Sequence, residues 1–546
     1  MNNKILFLIL LGLVMFGIRL FNLNENIYDD ESNFSYTLTV MDGLGFNHYY
    51  YSPQPLNFLY KPLIVLFGLK TWVFRLIPWL FGILNTLLVY IFARRNYGEK
   101  TAFFAVLLML VSFYPTLAAL QFDVEGNLIM FCALLLFLSY LEYEKSEQFA
   151  WQILAGIALG IMVITKYNAV YMVIALALYS LVQRKWQVKQ SIKDLFPVYL
   201  VGFLLFACYI FVAIIASPEN WLDFVGIISP GRYYASHFSL LGLAMFVVWS
   251  TPLLVGFYLL ALARWDKRNL LLVLWITMPI FFYTFLITSG SMDRYFMNTI
   301  PALALLGGYF LSQEIFQKKH IVSLALLVAG MTLLFFLLNT IPIKYVARFP
   351  ELYLKEITQG NLFFLFSYTS ASGPMLGISF VTIFVSFFLG FAFLLLCILF
   401  FKMSLRKWFL ILFLALSVAF NVFLMSEYIF HPTGVDVSSV KWEMLNYFQE
   451  HHLPYPVYSN DQGLQWYIDP RYWHNYDRTI GFGDNEIGDP STLAKKSIAQ
   501  RGGTILLLRW PPLPEESPAW EVNQLCQRIQ QFFSKRHLIG EIYLCR

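Results

Sequence analysis

The chain has 546 residues, of which 13% are charged and 58% hydrophobic, and its mean hydropathy is +0.61. Soluble domains carry about a quarter charged residues, so this composition excludes a soluble globular protein and requires lipid as the main solvent. The formal net charge of +5 does not point to nucleic acid, because most of the basic residues fall in short loops between apolar runs and serve topology.

The first apolar run, Ile5 to Phe21, follows a single lysine and has no small-residue cleavage site after it. It reads as a retained helix rather than a signal peptide. About 17 to 25 apolar residues cross the hydrocarbon of a bilayer. By that measure the predicted spans are 4–22, 71–93, 101–120, 127–142, 151–165, 168–182, 196–216, 239–262, 270–288, 296–312, 321–339, 376–401 and 408–425. The pair 151–182 is short in each half and interrupted by Lys166, as a tight hairpin at the membrane face would be. The expected fold is mainly α, a polytopic membrane protein of about thirteen helices.

Lysine and arginine in short loops set orientation. ARRNYGEK (93–100), QRKWQVKQSIK (183–193), ARWDKRN (263–269), QKKH (317–320) and KMSLRK (402–407) all fall on one side, which is therefore expected to be cytoplasmic, with the N-terminus. Asp29, Asp30, Glu31, Asp123, Lys166, Arg232 and Arg294 then face outward from a plasma or inner membrane.

From Ser426 the chain turns polar. VKWEMLNYFQEHH (440–452) and WEVNQLCQRIQQFF (520–533) read as amphipathic helices, while PVYSN (456–460), TILLLRW (504–510) and LIGEIYLC (538–545) read as strands. The expected organisation is a transmembrane domain, 1–425, with outer loops 23–70, 217–238 and 340–375, followed by a small extracytoplasmic α/β domain, 426–546. Cys526 and Cys545 lie in that domain, in an oxidising setting. A helix of about seven residues back from its end covers roughly 10 Å, against more than 20 Å for the same length of strand. A bridge and two separately buried thiols therefore both stay open.

Four outward patches carry ionisable residues: YDDESNF (28–34), SPQPLNFLYKPL (52–63), LQFDVEGNL (120–128) and SGSMDRYFMNTIPAL (289–303); Lys166 in ITKYNAV adds a fifth. Each alone reads as a charged cap at a membrane boundary. Their recurrence on one face makes them functional candidates, since ionisable groups near lipid are costly to keep. A phosphate site needs cations, which Lys61, Arg294 and Lys166 offer. Activation of a hydroxyl needs a carboxylate base, which Asp30 or Asp123 offers. Glu31 reads either as a neighbour of that base or as a helix cap. The aromatic stretch NHYYYSPQP (47–55) is an interfacial belt or a wall of an acceptor groove. His48 and His237 have no second ligand spaced with them, and no metal-ligand, phosphate-loop or nucleophile-elbow motif occurs.

The acids after the first span, YKP at 60–62, QFD at 121–123, TK at 165–166 and RYFMNTIPALALL at 294–306 together resemble the polytopic GT-C glycosyltransferases. The protein O-mannosyltransferases and the lipid A aminoarabinose transferases are the nearest groups. The resemblance implies transfer of a sugar from a polyprenyl-phosphate donor to a lipid, glycan or protein acceptor outside the cytoplasm. It further implies Asp30 as the catalytic carboxylate with Glu31 beside it, Lys61 on the donor phosphate, Asp123 as the acid after the third span, and Arg294 as the arginine opening a late span. The aminoarabinose transferases carry a glutamate before the lysine where this chain has Tyr60. Their metal site and substrate are therefore not transferred, and use of a divalent metal stays open. A flippase or transporter of lipid-linked sugars, or a non-catalytic relative, is the alternative. Charges at the outer ends of the spans, with no internal repeat, favour the interfacial enzyme.

Overall fold

The computed structural model describes residues 3–25, 31, 57–122, 126–216, 240–286, 293–341, 344–346, 350–368, 376–400, 405–469, 479–481, 490–510, 526–535 and 537–546. The membrane part is built from α1 (Asn3–Arg19), α2 (Asn57–Phe67), α3 (Thr71–Tyr97), α4 (Glu99–Val111), α5 (Phe113–Leu120), α6 (Asn127–Ser146), α7 (Phe149–Thr165), α8 (Tyr171–Gln183) and α9 (Val188–Ala216). It continues through α10 (Leu240–Ala263), α11 (Leu270–Phe281), α12 (Ile300–Gln313), α13 (Lys318–Asn339), α14 (Pro350–Thr358), α15 (Phe380–Leu399) and α16 (Arg406–Phe430).

Among the described residues, nine helices are long and apolar enough to span a membrane, or ten if the bent pair α4 and α5 counts as one. Helices form in all thirteen expected runs, and four of those runs fall outside the nine because none is a single straight helix of that length. The run 101–120 breaks at Ser112 with a bend of 63°. The runs near 151–165, 168–182 and 296–312 form helices of 17, 13 and 14 residues. Apolar character continues where a single straight helix does not.

Broken helices leave backbone groups that lipid cannot satisfy. Asn421 of α16 satisfies a backbone group at one break and bonds a side chain at another. Its Oδ1 accepts from the amide of Phe113 at 2.7 Å, and its Nδ2 donates to Thr251 Oγ1 at 2.9 Å. Thr251 has φ 56°, just ahead of Pro252 inside α10.

The bundle packs α7 against both α6 and α9, α4 against α12, and α16 against both α13 and α15. Small residues make the closest contacts, as expected where helices associate by packing alone. A Cβ on Gly156 of α7 would lie 2.6 Å from Val201 of α9, and one on Gly308 of α12 would lie 2.7 Å from backbone atoms of α4.

The five basic loops share one end of the bundle. Lys145 donates to the carbonyl of Arg95, Tyr97 to that of Arg268 and Lys100 to that of Glu314, while Arg406 pairs with Glu314. His320 packs edge-on to Trp408.

Near the opposite end, β1 (Lys344–Tyr345), β2 (Phe364–Tyr368) and β3 (Leu376–Ser379) form a small sheet. The predicted span 376–401 thus opens as a strand. Past α16, the sheet of β4 (Val457–Ser459), β5 (Thr479–Gly481), β6 (Gly503–Leu508), β7 (Gln527–Ser534) and β8 (His537–Cys545) runs in the order β5-β4-β6-β8-β7. It is accompanied by α17 (Val437–Glu450), α18 (Gln462–Ile468) and α19 (Pro490–Arg501). β4 is parallel to β5 and β6; β8 is antiparallel to β6 and β7.

The helix expected at 520–533 is corrected over its described part. Residues 527–534 form a strand, paired Gln527 to Leu544 and Ser534 to His537. That hairpin brings Cys526 opposite Cys545, and the two form a disulfide with their Cα atoms 4.4 Å apart.

Candidate active site

Of the ionisable residues that the sequence singles out, Glu31, Lys61 and Lys166 are described at the end of the bundle opposite the basic loops. Arg75 lies in the first turns of α3, an arginine inside an otherwise apolar run, and it is 1% exposed. Its guanidinium holds Glu31, which is fully buried: Nη1 donates to Oε1 at 2.9 Å and Nη2 to Oε2 at 2.8 Å. Nη1 also donates to the carbonyl of Leu120, at 2.6 Å, and the amide of Phe122 donates to Glu31 Oε1 at 2.8 Å. The pair therefore ties the acid cluster after α1 to the last turn of α5. A buried ion pair survives desolvation only when further hydrogen bonds complete it, as these do.

Around the pair, Tyr60 is buried and donates to the carbonyl of Phe74 at 2.9 Å, with its ring edge-on to Phe122 at 5.0 Å. This fixes α2, on which the next residue, Lys61, is exposed. Trp466 of α18 packs edge-on to Phe74 at 5.8 Å, so the C-terminal region reaches the same corner.

The second half of the site is built on the hairpin between α7 and α8. Lys166 follows α7 and is succeeded by the 3-10 turn Tyr167–Val170. Its ammonium sits 4.9 Å from the ring centre of Tyr295, within cation–π range. Tyr295 stacks on Tyr283 at 4.8 Å. It belongs to the 3-10 turn Asp293–Thr299, which carries residues 293 and 294. Asn298 in that turn donates to Tyr171 of α8 at 2.7 Å. The halves meet at Gly126, where a Cβ would lie 2.8 Å from the sulfur of Met297.

The structure thus places Glu31, Lys61 and Lys166, and the backbone of residue 294, at one end of the bundle. Asp29, Asp30, Asp123 and Glu125, with His48, Arg232 and His237, lie outside the described residues. Arg75 escaped the sequence reading, although the signal was present: TWVFRLIPWL (71–80) puts a cation inside a span, which lipid does not tolerate without a partner. Among the described residues no group of three or more His, Cys, Asp or Glu side chains is placed to hold a metal ion.

Just outside the end of α16, His431 Nε2 lies 3.4 Å from Glu25 Oε1. Burial alone lowers the imidazole pKa. The hydrogen bond and charge of Glu25, with Asp436 and Glu427 nearby, outweigh it, so the group is raised above its ordinary value.

Residues 53–228 match the family described as dolichyl-phosphate-mannose-protein mannosyltransferase. No curated protein sequence matches the chain. In fold the chain is similar to ArnT from Cupriavidus metallidurans crystallised bound to undecaprenyl phosphate. The TM-score is 0.62 at 16% identity, over 98% of each chain. The apo state of that protein gives 0.60 at 16% identity, over 100% of this chain and 98% of the other. Both findings bear out the resemblance drawn from the motifs. The chain carries the fold of the polytopic GT-C membrane glycosyltransferases, and the matched segment contains Lys61, Arg75, Asp123 and Lys166.

Proposed function

We propose that the protein is a membrane glycosyltransferase that moves a sugar from a polyprenyl-phosphate donor to an acceptor outside the cytoplasm. The observation that carries this reading is the hydrogen bond from the Phe122 amide to the Glu31 carboxylate. Asp30 and Asp123 are the chain neighbours of the two residues that this bond joins. The acid cluster and the turn after α5 therefore belong to one site, into whose surroundings Lys61 and Lys166 also fall.

In this reading Asp30 takes the proton from the acceptor hydroxyl as its oxygen attacks the anomeric carbon. The bond from that carbon to the donor phosphate breaks, and its electron pair leaves with the phosphate. Lys61, Arg294 and Lys166 offset the charge of the departing group. The transition state is oxocarbenium-like, so nearby carboxylates stabilise its positive charge, and one displacement inverts the anomeric centre. Glu31 acts by holding the loop in place through Arg75. We assign 1–425 to the transmembrane domain and 426–546 to a domain on the outer face. The basic loops at the far end of the bundle support that orientation, as does the disulfide, which is typical of an oxidising compartment.

The test is release of polyprenyl phosphate by the purified chain from a polyprenyl-phosphate sugar, with Asp30→Asn in parallel. The expected result is sugar-dependent release that drops by at least about a hundredfold in the variant. Movement of intact donor across a vesicle membrane without release would make the protein a flippase instead.

A further inference from the structure

Between α8 and α9, towards the basic end of the bundle, lies a cavity of about 240 Å³ whose lining includes none of the site residues above. Its walls are Ala177 and Leu181 of α8 with Val188, Ile192, Leu195 and Phe196 of α9, spaced so that each helix gives one face. Val188, Ile192 and Phe196 are more than half exposed, so the cavity opens sideways to lipid. It falls below the roughly 300 Å³ at which sites for whole small molecules begin. It suits a segment of hydrocarbon chain rather than a complete ligand.

Two features separate it from an ordinary lipid-facing groove. Ser191 lines it, is only 2% exposed, and its hydroxyl has no hydrogen-bond partner. A buried hydroxyl left unsatisfied is costly, and a polar atom of a ligand would relieve it. Three lysines also lie within three residues of the lining residues Val188, Ile192 and Phe196. Lys185, Lys189 and Lys193 are exposed, and among the described residues no carboxylate pairs with them. The nearest acid, Asp194, is buried and already occupied. It accepts from Arg184 Nε at 2.7 Å, from Gln190 Nε2 at 3.1 Å and from the Tyr143 hydroxyl at 3.2 Å. Trp186, exposed in the same turn, suits the headgroup level.

From these we infer that the groove between α8 and α9 is a binding site for an anionic phospholipid. One acyl chain lies along Leu181, Ile192 and Phe196, an ester or glycerol oxygen meets Ser191, and the phosphate lies among the three lysines. Basic pockets between membrane helices on the cytoplasmic side take such headgroups. The polyprenyl-phosphate donor is disfavoured as occupant because the groove lies towards the opposite end of the bundle from Glu31 and Arg75.

The experiment is native mass spectrometry of the full chain, with phosphatidylglycerol, phosphatidylcholine or undecaprenyl phosphate added in turn. The variants are Lys185→Gln/Lys189→Gln/Lys193→Gln, Ser191→Ala and Ile192→Trp. Gel filtration confirms folding, which the exposed lysines and Ile192 do not govern. Retention of phosphatidylglycerol over phosphatidylcholine is expected. Each lysine contributes about fivefold, so the triple variant loses roughly a hundredfold. Ser191→Ala weakens retention, and Ile192→Trp abolishes it by filling the groove. Equal retention of both phospholipids, unchanged retention in the lysine or tryptophan variants, or preferential retention of undecaprenyl phosphate at this groove would overturn the assignment.

Discussion

Arg75 and Glu31 form a two-pronged pair at 2.9 and 2.8 Å, sealed from solvent and closed by the Leu120 carbonyl and the Phe122 amide. Removing one partner leaves a buried charge uncompensated, at about 3 to 5 kcal/mol. Arg75→Ala and Glu31→Ala are therefore expected to lower the melting temperature of the purified protein sharply. Arg75→Lys keeps the charge but not the fork, and should retain only part of the stability. Replacing both partners with apolar residues should cost less than either single change. Thermal unfolding of the five proteins checks the order, and an additive double variant would mean that the pair is not coupled.

Lys61→Ala and Arg294→Ala bear on the donor rather than on the proton. Charge-assisted contacts to phosphate contribute about 1.5 to 3 kcal/mol each. Each variant should therefore need at least roughly tenfold more donor for half-maximal rate while its fold is unchanged. Donor titration of both variants decides this, and unchanged curves for both would move the phosphate contact to Lys166.

The motifs drew attention to acids and bases at the ends of spans, where composition makes them conspicuous, and of these Glu31, Lys61 and Lys166 lie at one end of the bundle. What holds them was less legible. Arg75 looked like part of a span because its partner, Glu31, lies 44 residues earlier, beyond the end of α1. Pro115, which cannot donate in a continuous helix, marks the break at Ser112 locally, but its repair is not local: the Phe113 amide is satisfied by Asn421, 308 residues on. In 520–533, apolar residues at Leu525, Ile529 and Phe532 mimic helical spacing. Pairing with β8 overrides that spacing over 527–534, because strand preference follows the neighbouring strand more than local sequence. The helix reading also left the bridge between Cys526 and Cys545 open, through a length mismatch that a hairpin does not have.

The contact between His431 and Glu25 joins the segment after α1 to the turn after α16, and it should depend on pH. The folded imidazole pKa is raised above its unfolded value of about 6.5. The protonated form is thus favoured by folding. Its stabilisation is fully present below about pH 6.5 and is lost as pH rises through the folded pKa. The difference in melting temperature between the wild type and Glu25→Gln should therefore shrink as pH is raised from about 6 upward. A difference constant across that range would show that the imidazole does not change charge there.

The disulfide between Cys526 and Cys545 closes the open end of the hairpin formed by β7 and β8, and β7 is the edge strand of its sheet. An edge strand is held by one neighbour only, so β7 depends on β8 and on α17, which packs across both. Cross-linking residues 19 apart in sequence removes unfolded-chain entropy corresponding to about 3 kcal/mol. Reduction, or Cys526→Ser with Cys545→Ser, should therefore release β7 first. Amide hydrogen exchange in 527–534 should rise well before exchange in β4 or β6, the central strands. Thiol labelling of the unreduced, denatured protein should leave both cysteines unmodified, and labelling of both would show that the bridge is not formed in the cell.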